Sequence, residues 1–234
     1  MTQDNKDFSQ LEEKIGITFN NKDLLEQAVV HRSYLNENPD FHLGNNERLE
    51  FLGDAVLEII VTEYLYYNFP DKGEGELTNF RASLVNTHLL AMVAREIDLE
   101  NFLYLSKGEA KDRNEKAKRS IFADTIEAIV GAIYLDQGKA SAEKFIREKI
   151  VEKLDHILEN KLYLDSKSKF QEKAQEKYGI TPHYKVLEET GPDHDKTFKM
   201  GLYLGEKMVA SATGSSKQEA QINAAEEGLK KENW

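Results

Sequence analysis

The sequence predicts two parts in series: an all-α N-terminal domain followed by a small α+β domain of order α-β-β-β-α. Two patterns carry this prediction. Through about residue 155, apolar residues recur at the spacing of one helix face, and strand-like alternation is nearly absent. Beyond residue 165 the pattern becomes one amphipathic segment, three β-rich runs and a closing helix.

Helical periodicity covers residues 22–31, 47–67, 77–96 and 121–135. Residues 140–158 add Phe145, Ile146, Ile150, Leu154 and Leu158 at amphipathic spacing. Gly138, after Asp136 and Gln137, supplies a C-terminal stop for the fourth of these helices. Residues 110–120, AKDRNEKAKRS, read as a polar, mostly basic loop, either a solvated connector or a phosphate contact. No Gly/Ser-rich stretch marks the junction that follows. A short linker, residues 157–164, is inferred from the change of pattern, leaving domains at 1–156 and 165–234. In residues 166–178, Phe170, Ala174 and Tyr178 fall at i, i+4 and i+8, and Gly179 closes the helix. Strand-like runs follow at 183–189, 197–204 and 207–213, the last two joined across Gly205 and Glu206. Ser216 and Glu219 have the spacing of a capping box opening the final helix.

The 234 residues are 40% hydrophobic, enough for a buried core. Zero cysteine excludes disulfides and thiol catalysis. The first ten residues are polar, and no apolar run approaches the ~18 residues of a membrane helix. A soluble, cytoplasmic protein with no membrane partner is therefore expected.

Four carboxylates interrupt two otherwise apolar helical stretches. Glu50 and Asp54 are i and i+4, roughly 40° apart on one face. Asp124 and Glu127 are i and i+3, again on one face. Acids this deep among Leu, Ile, Val and Phe are costly to bury unless something neutralises them. Either pair alone fits a solvent-facing acid or one held by Arg48. Two such pairs in one domain point to a divalent-metal site between facing helices, since a hard cation takes several oxygen ligands. With no CxxC, no HExxH and no His at ligand spacing, zinc is not expected.

The net charge of −11 is unevenly placed. Residues 1–160 hold 19 Lys and Arg against 30 Asp and Glu, whereas residues 161–234 hold 12 of each. A carboxylate cluster repels phosphate until divalent cations invert the local sign. The acidity thus argues against passive binding of nucleic acid but not against metal-dependent chemistry on it.

The segment NNERLEFLGDAVL (residues 45–57) resembles the signature of bacterial ribonuclease III, and FADTIEAIVGAIYLDQG (residues 122–138) its second catalytic helix. HRSYLNE (31–37), EGELTNFRASLVN (74–86) and LSKGE (105–109) match the same family in order and spacing. The resemblance implies an endoribonuclease that cleaves double-stranded RNA by metal-assisted hydrolysis. It further implies 5′-phosphate and 3′-hydroxyl ends and a role in processing ribosomal and other structured RNA precursors. Glu50, Asp54, Asp124 and Glu127 would hold one or two Mg²⁺ ions, with Mn²⁺ as a substitute, and Asp54 and Glu127 would stand closest to the chemistry. Glu47 and Glu74 fall on family positions near the site; either is otherwise a surface acid. The family acts as a homodimer, and Phe51 would plug a socket on the partner subunit, unless it is a core residue of its own chain.

The α-β-β-β-α part resembles a double-stranded RNA-binding domain, which reads A-form shape and 2′-hydroxyls. By that resemblance Gln171 and Glu172 approach one minor groove, His194 the next, and Lys217 the phosphates between. Two positions depart from the family pattern: Gln218 where a second Lys is usual, and Ala212 where Gly is usual. A protein-contact module is the alternative for this part. For the whole chain the alternatives are a cleavage-dead duplex-RNA binder and an all-α metalloenzyme acting on a small phosphorylated molecule.

Overall fold

The computed structural model describes residues 6–192 and 196–234 and divides into two compact units, Met1–Asn160 and Lys161–Trp234. The first unit is helical: α1 (Ser9–Ile15), α2 (Lys22–Ala28), α3 (Arg32–Glu37), α4 (Glu47–Asn68), α5 (Glu74–Leu84), α6 (Thr87–Glu96), α7 (Lys107–Lys111), α8 (Glu115–Gln137), α9 (Lys139–Lys149) and α10 (Leu154–Glu159). The second unit runs α11 (Ser166–Tyr178), β1 (His183–Thr190), β2 (Thr197–Leu204), β3 (Lys207–Gly214) and α12 (Lys217–Glu232). The expected fold class is observed.

Several boundaries differ from the sequence expectation, each for a local reason. The single helix expected over residues 77–96 is two, because Asn86 stops the first and caps the second, its side chain accepting from Leu89 N at 2.9 Å. The helix expected to reach residue 31 ends at Ala28, and Val30 instead pairs with Tyr104 in a parallel bridge. The stretch 140–158 is broken by a 3₁₀ turn at Val151–Lys153. The basic loop is loop only in part. Asn114 Oδ1 accepts from the backbone N–H of Lys116 and Ala117, so α8 begins at Glu115.

α8 is the central strut of the first unit. Ile121, Phe122, Ile126, Ile129, Val130 and Ile133 are buried over one half of its circumference, and buried Ala123, Ala128 and Gly131 extend that burial around the other, as expected for a helix enclosed by others. Its principal partner is α4, whose Leu49, Val56, Leu57 and Ile60 are buried as well. The two helices approach until backbone meets backbone. A methyl group at Gly53 would overlap the Glu127 carbonyl, and one at Gly131 would overlap the Leu49 carbonyl. Only glycine fits at either position.

In the second unit α11 and α12 cover one face of the antiparallel sheet β1-β2-β3. Phe170, Ala174, Leu202, Ala210 and Ala224 form its core. The register shifts at Leu187 in β1 and at Val209 in β3, bulges that add local twist. Ser216 Oγ accepts from Glu219 N at 3.1 Å, while the Glu219 carboxylate reaches back to Ser215 N at 2.7 Å, a capping box displaced by one residue.

Gly53→Ala should therefore force α4 and α8 apart. The expected cost is about 1–3 kcal/mol or more of unfolding free energy, the range for overpacking a close contact. Urea unfolding of the full chain checks this, and a variant as stable as wild type would contradict the backbone contact.

Candidate metal centre

The crossing of α4 and α8 sets the position of the acids. Glu50 and Asp54 bracket Gly53 on α4, and Glu127 on α8 owns the carbonyl against which Gly53 rests. Carboxylate oxygens of Glu50, Asp124 and Glu127 lie within 4.8 Å of one another, and all three residues are half-buried. Asp54 falls outside this close trio. It is exposed, one turn along α4 from Glu50, and its charge still bears on both Glu50 and Glu127.

Proximity and burial have an electrostatic cost. Glu127 is pushed up to about 8, by burial first and then by repulsion from Asp54, Asp124 and Glu50. Burial also raises Asp124. Glu50 is raised by burial and then by the charges of Asp124, Glu47 and Asp54. The positive charge that opposes these shifts on Glu50 and Asp124 is Arg32, at the start of α3. Arg48, the partner suggested by sequence proximity, is exposed and makes no ion pair among the described residues. Clustered, partly desolvated carboxylates with too little positive charge fit a divalent cation, because hard oxygen donors lie within the reach of one ion.

The other acids take different places. Glu47 opens α4, accepts from Asn45 Nδ2 at 2.9 Å and pairs with Arg32 at 3.5 Å. Glu74 opens α5, is exposed, and lines a 440 Å³ cavity with Thr62, Tyr66 and Arg81; it is not part of the trio. Asp23, Glu26 and His42 also come within 4.8 Å of one another, a grouping that linear spacing did not reveal. There Glu26 already accepts from the Tyr104 hydroxyl at 3.0 Å and lies 3.7 Å from His42 Nε2, so this group has partners without an ion.

Phe51 is 83% exposed, so it is no core residue of its own chain. Beside it runs an apolar groove lined by Leu24, Leu49, Leu52 and Leu135.

In the second unit Gln171 and Glu172 are exposed on α11, and Glu172 lies 3.5 Å from Lys161. Lys217 is the first residue of α12, with its ammonium 3.6 Å from Glu189 and above the Phe198 ring. His194 lies outside the described residues. Gln218 is exposed beside Lys217, whereas Ala212 turns inward and packs against the core. The Ala212 departure is thus a packing change rather than a lost surface contact.

Comparison with known proteins bears on both units. Residues 21–154 match the ribonuclease-III-like family, and residues 166–232 match the double-stranded RNA binding motif. Ribonuclease 3 of Borreliella afzelii is 46% identical over 222 residues, covering 95% of this chain and 90% of that protein. Ribonuclease 3 of Enterococcus faecalis is 42% identical over 227 residues, covering 97% and 98%. A crystal structure of the nuclease domain of ribonuclease III from Campylobacter jejuni is similar at 39% identity and a TM-score of 0.56, covering 63% of this chain and 95% of that one. A second structure of that domain, at 38% identity and a TM-score of 0.54, concerns flexibility in a region involved in dimer formation; it covers 61% of this chain and 98% of that one.

The raised pKa of Glu127 sets a pH dependence for the metal-free protein. The folded state binds the Glu127 proton more tightly than the unfolded chain, whose value is near 4.5. Protonated Glu127 therefore favours folding at low pH, and that contribution is lost as pH rises through about 8. Glu127→Gln, which cannot ionise, should melt above wild type in EDTA at alkaline pH, with the gap closing toward about pH 5. Equal melting curves across the range would show that Glu127 is not desolvated.

Proposed function

The chain belongs to the ribonuclease III family, and from that premise we propose a Mg²⁺-dependent endoribonuclease that cuts double-stranded RNA at the α4–α8 carboxylate cluster. The observation that carries this reading is the trio of Glu50, Asp124 and Glu127, with ligand atoms within 4.8 Å, in a chain that also bears a double-stranded RNA binding motif. Products carry 5′-phosphate and 3′-hydroxyl ends. The protein works in the cytoplasm on ribosomal and other structured RNA precursors.

Glu50, Asp124 and Glu127 would hold the cation, with Asp54 able to join them from its exposed position one turn along α4. A divalent ion held there would supply a more acidic attacking water and offset charge on the phosphate and the leaving 3′ oxygen. The raised pKa of Glu127 keeps it largely protonated below about 8 in the metal-free protein, and serving as a ligand would require it to give that proton up to solvent. Asp54 is exposed, so its carboxylate can reach substrate as well as the cation, and with Glu127 it stands nearest the reacting phosphate. Glu47 and Glu74 shape the rim.

The second unit supplies binding without base reading. Gln171 and Glu172 approach one minor groove, the segment containing His194 approaches the next, and Lys217 meets phosphates at the N-terminus of α12. Two copies assemble so that both strands are cut. Phe51, exposed on the single chain beside an apolar groove, inserts into a socket of the partner subunit.

Cleavage of a long RNA duplex should require Mg²⁺ or Mn²⁺ and stop in EDTA, while Ca²⁺ should support binding with little cutting because its looser shell lacks the strict octahedral geometry. Glu127→Gln should keep duplex affinity in Ca²⁺ and lower the rate by orders of magnitude. Deleting residues 161–234 should do the reverse, weakening binding with residual cutting at low salt. Wild-type cleavage by Glu127→Gln would show the centre to be misassigned.

Phe51→Ala should weaken the dimer, with a cost of about 3–5 kcal/mol if the ring is fully buried between subunits. Sedimentation should give a dimer for wild type and a concentration-dependent monomer for the variant. A strictly monomeric wild type would overturn the two-site arrangement.

A further inference from the structure

Arg32 is held in an unusual way for a surface arginine. The residues on either side of it are pinned. Val30 pairs with Tyr104, and His31 N donates to Tyr104 O at 3.1 Å. Ser33 N donates to His31 Nδ1 at 3.3 Å, and Ser33 Oγ accepts from Ser106 N at 3.1 Å. The side chain is only loosely held by contrast. It is 72% exposed, and its ion pair is a long one, 3.5 Å to Glu47, itself 51% exposed. Glu47 is already held by Asn45 Nδ2 at 2.9 Å, so Arg32 is not needed to satisfy it. A pair this open contributes little to stability. The fold thus fixes where the guanidinium starts and leaves its donors available.

Its location gives those donors a use. Glu47 lies one helical turn before Glu50, whose carboxylate belongs to the trio, and the charge of Arg32 reaches both Glu50 on α4 and Asp124 on α8. A polyanionic strand brought to this centre meets Glu47, Glu50, Asp54, Asp124 and Glu127, all of one sign. A fixed positive group at the rim offsets that repulsion outside the cation's own shell. Guanidinium also presents a planar fork of donors that matches phosphate oxygens.

We propose that Arg32 is a substrate-binding residue of this centre, its guanidinium gripping a backbone phosphate of the cleaved strand beside the carboxylate trio, with Glu47 as its resting partner. The inference rests on the trio being the metal centre of the nuclease. It differs from a counter-ion role in sign. A mere counter-ion would be dispensable once the cation is bound, whereas a phosphate ligand is needed at that very stage.

The test uses the full chain as wild type, Arg32→Gln, Arg32→Lys and Glu127→Gln. Each is measured for Mn²⁺ binding without RNA, duplex RNA binding in Ca²⁺ over a KCl series, and single-turnover cleavage in Mg²⁺. Arg32→Gln should bind Mn²⁺ at least as tightly as wild type, because a competing positive charge has gone. The slope of log affinity against log salt should shrink by about 0.7–0.9 for each Arg32 engaged, and cleavage should fall roughly 10- to 100-fold. Arg32→Lys should restore the salt slope but only part of the rate, lacking the fork. A wild-type salt slope in Arg32→Gln, wild-type cleavage, or a loss of Mn²⁺ binding that parallels the loss of cleavage would each overturn the proposal. Glu127→Gln separates the two levels. If it binds Mn²⁺ as wild type does, the centre itself is misplaced and the role of Arg32 falls with it.

Discussion

The first unit depends on one contact, the crossing of α4 over α8 at Gly53 and Gly131. With no Cβ on either side, the backbones meet, Gly53 against the Glu127 carbonyl and Gly131 against the Leu49 carbonyl. The same approach buries Leu49, Val56, Ile126 and Ile129 and brings Glu50 to within ligand distance of Asp124 and Glu127. Packing and chemistry therefore rest on a single geometric event. Side chains at those positions would widen the gap, lose apolar contact and spread the carboxylates beyond the grasp of one cation.

That arrangement works against the stability of the metal-free fold. Half-buried acids raise one another's pKa, and Glu127 reaches about 8. Apolar packing around α8 offsets the cost, as is common where a functional site violates the usual placement of charge. Divalent binding turns the same repulsion into affinity, since each negative oxygen that destabilises the empty cluster attracts the ion. Arg32 is positioned to reduce the repulsion without filling the cluster, because the Tyr104 bridge pins the chain just before it and its guanidinium is exposed beside Glu47.

The two units divide the electrostatic work. All of the net charge of −11 resides in residues 1–160, whereas residues 161–234 are neutral. A neutral module cannot rely on bulk attraction to phosphate and must place its charges. Lys217 opens α12, where the helix dipole favours anions, and on the proposed reading this is where a phosphate would be met. The exposed Gln218 adds no charge beside Lys217, while Ala212 packs against the core.

The sequence by itself determined what depends on local order. Helical spacing, the strand runs and the turn glycines gave the α-then-α-β-β-β-α plan, because periodicity and caps act within a few residues. It also marked Glu50, Asp54, Asp124 and Glu127 as costly acids on two helix faces, which needed only burial arithmetic and spacing. Where a strong cap competed with periodicity, as at Asn86 and Asn114, the pattern alone misjudged the ends. Tertiary structure decided the rest, since it concerned residues far apart in the chain. Which acids form the tight trio, that Asp54 stands outside it, that Arg32 rather than Arg48 faces them, and that Phe51 is exposed all follow from how α3, α4 and α8 pack. No short-range signal encodes the distance between Arg32 and Asp124; the glycine crossing and the Tyr104 bridge set it, and both form only when the chain folds.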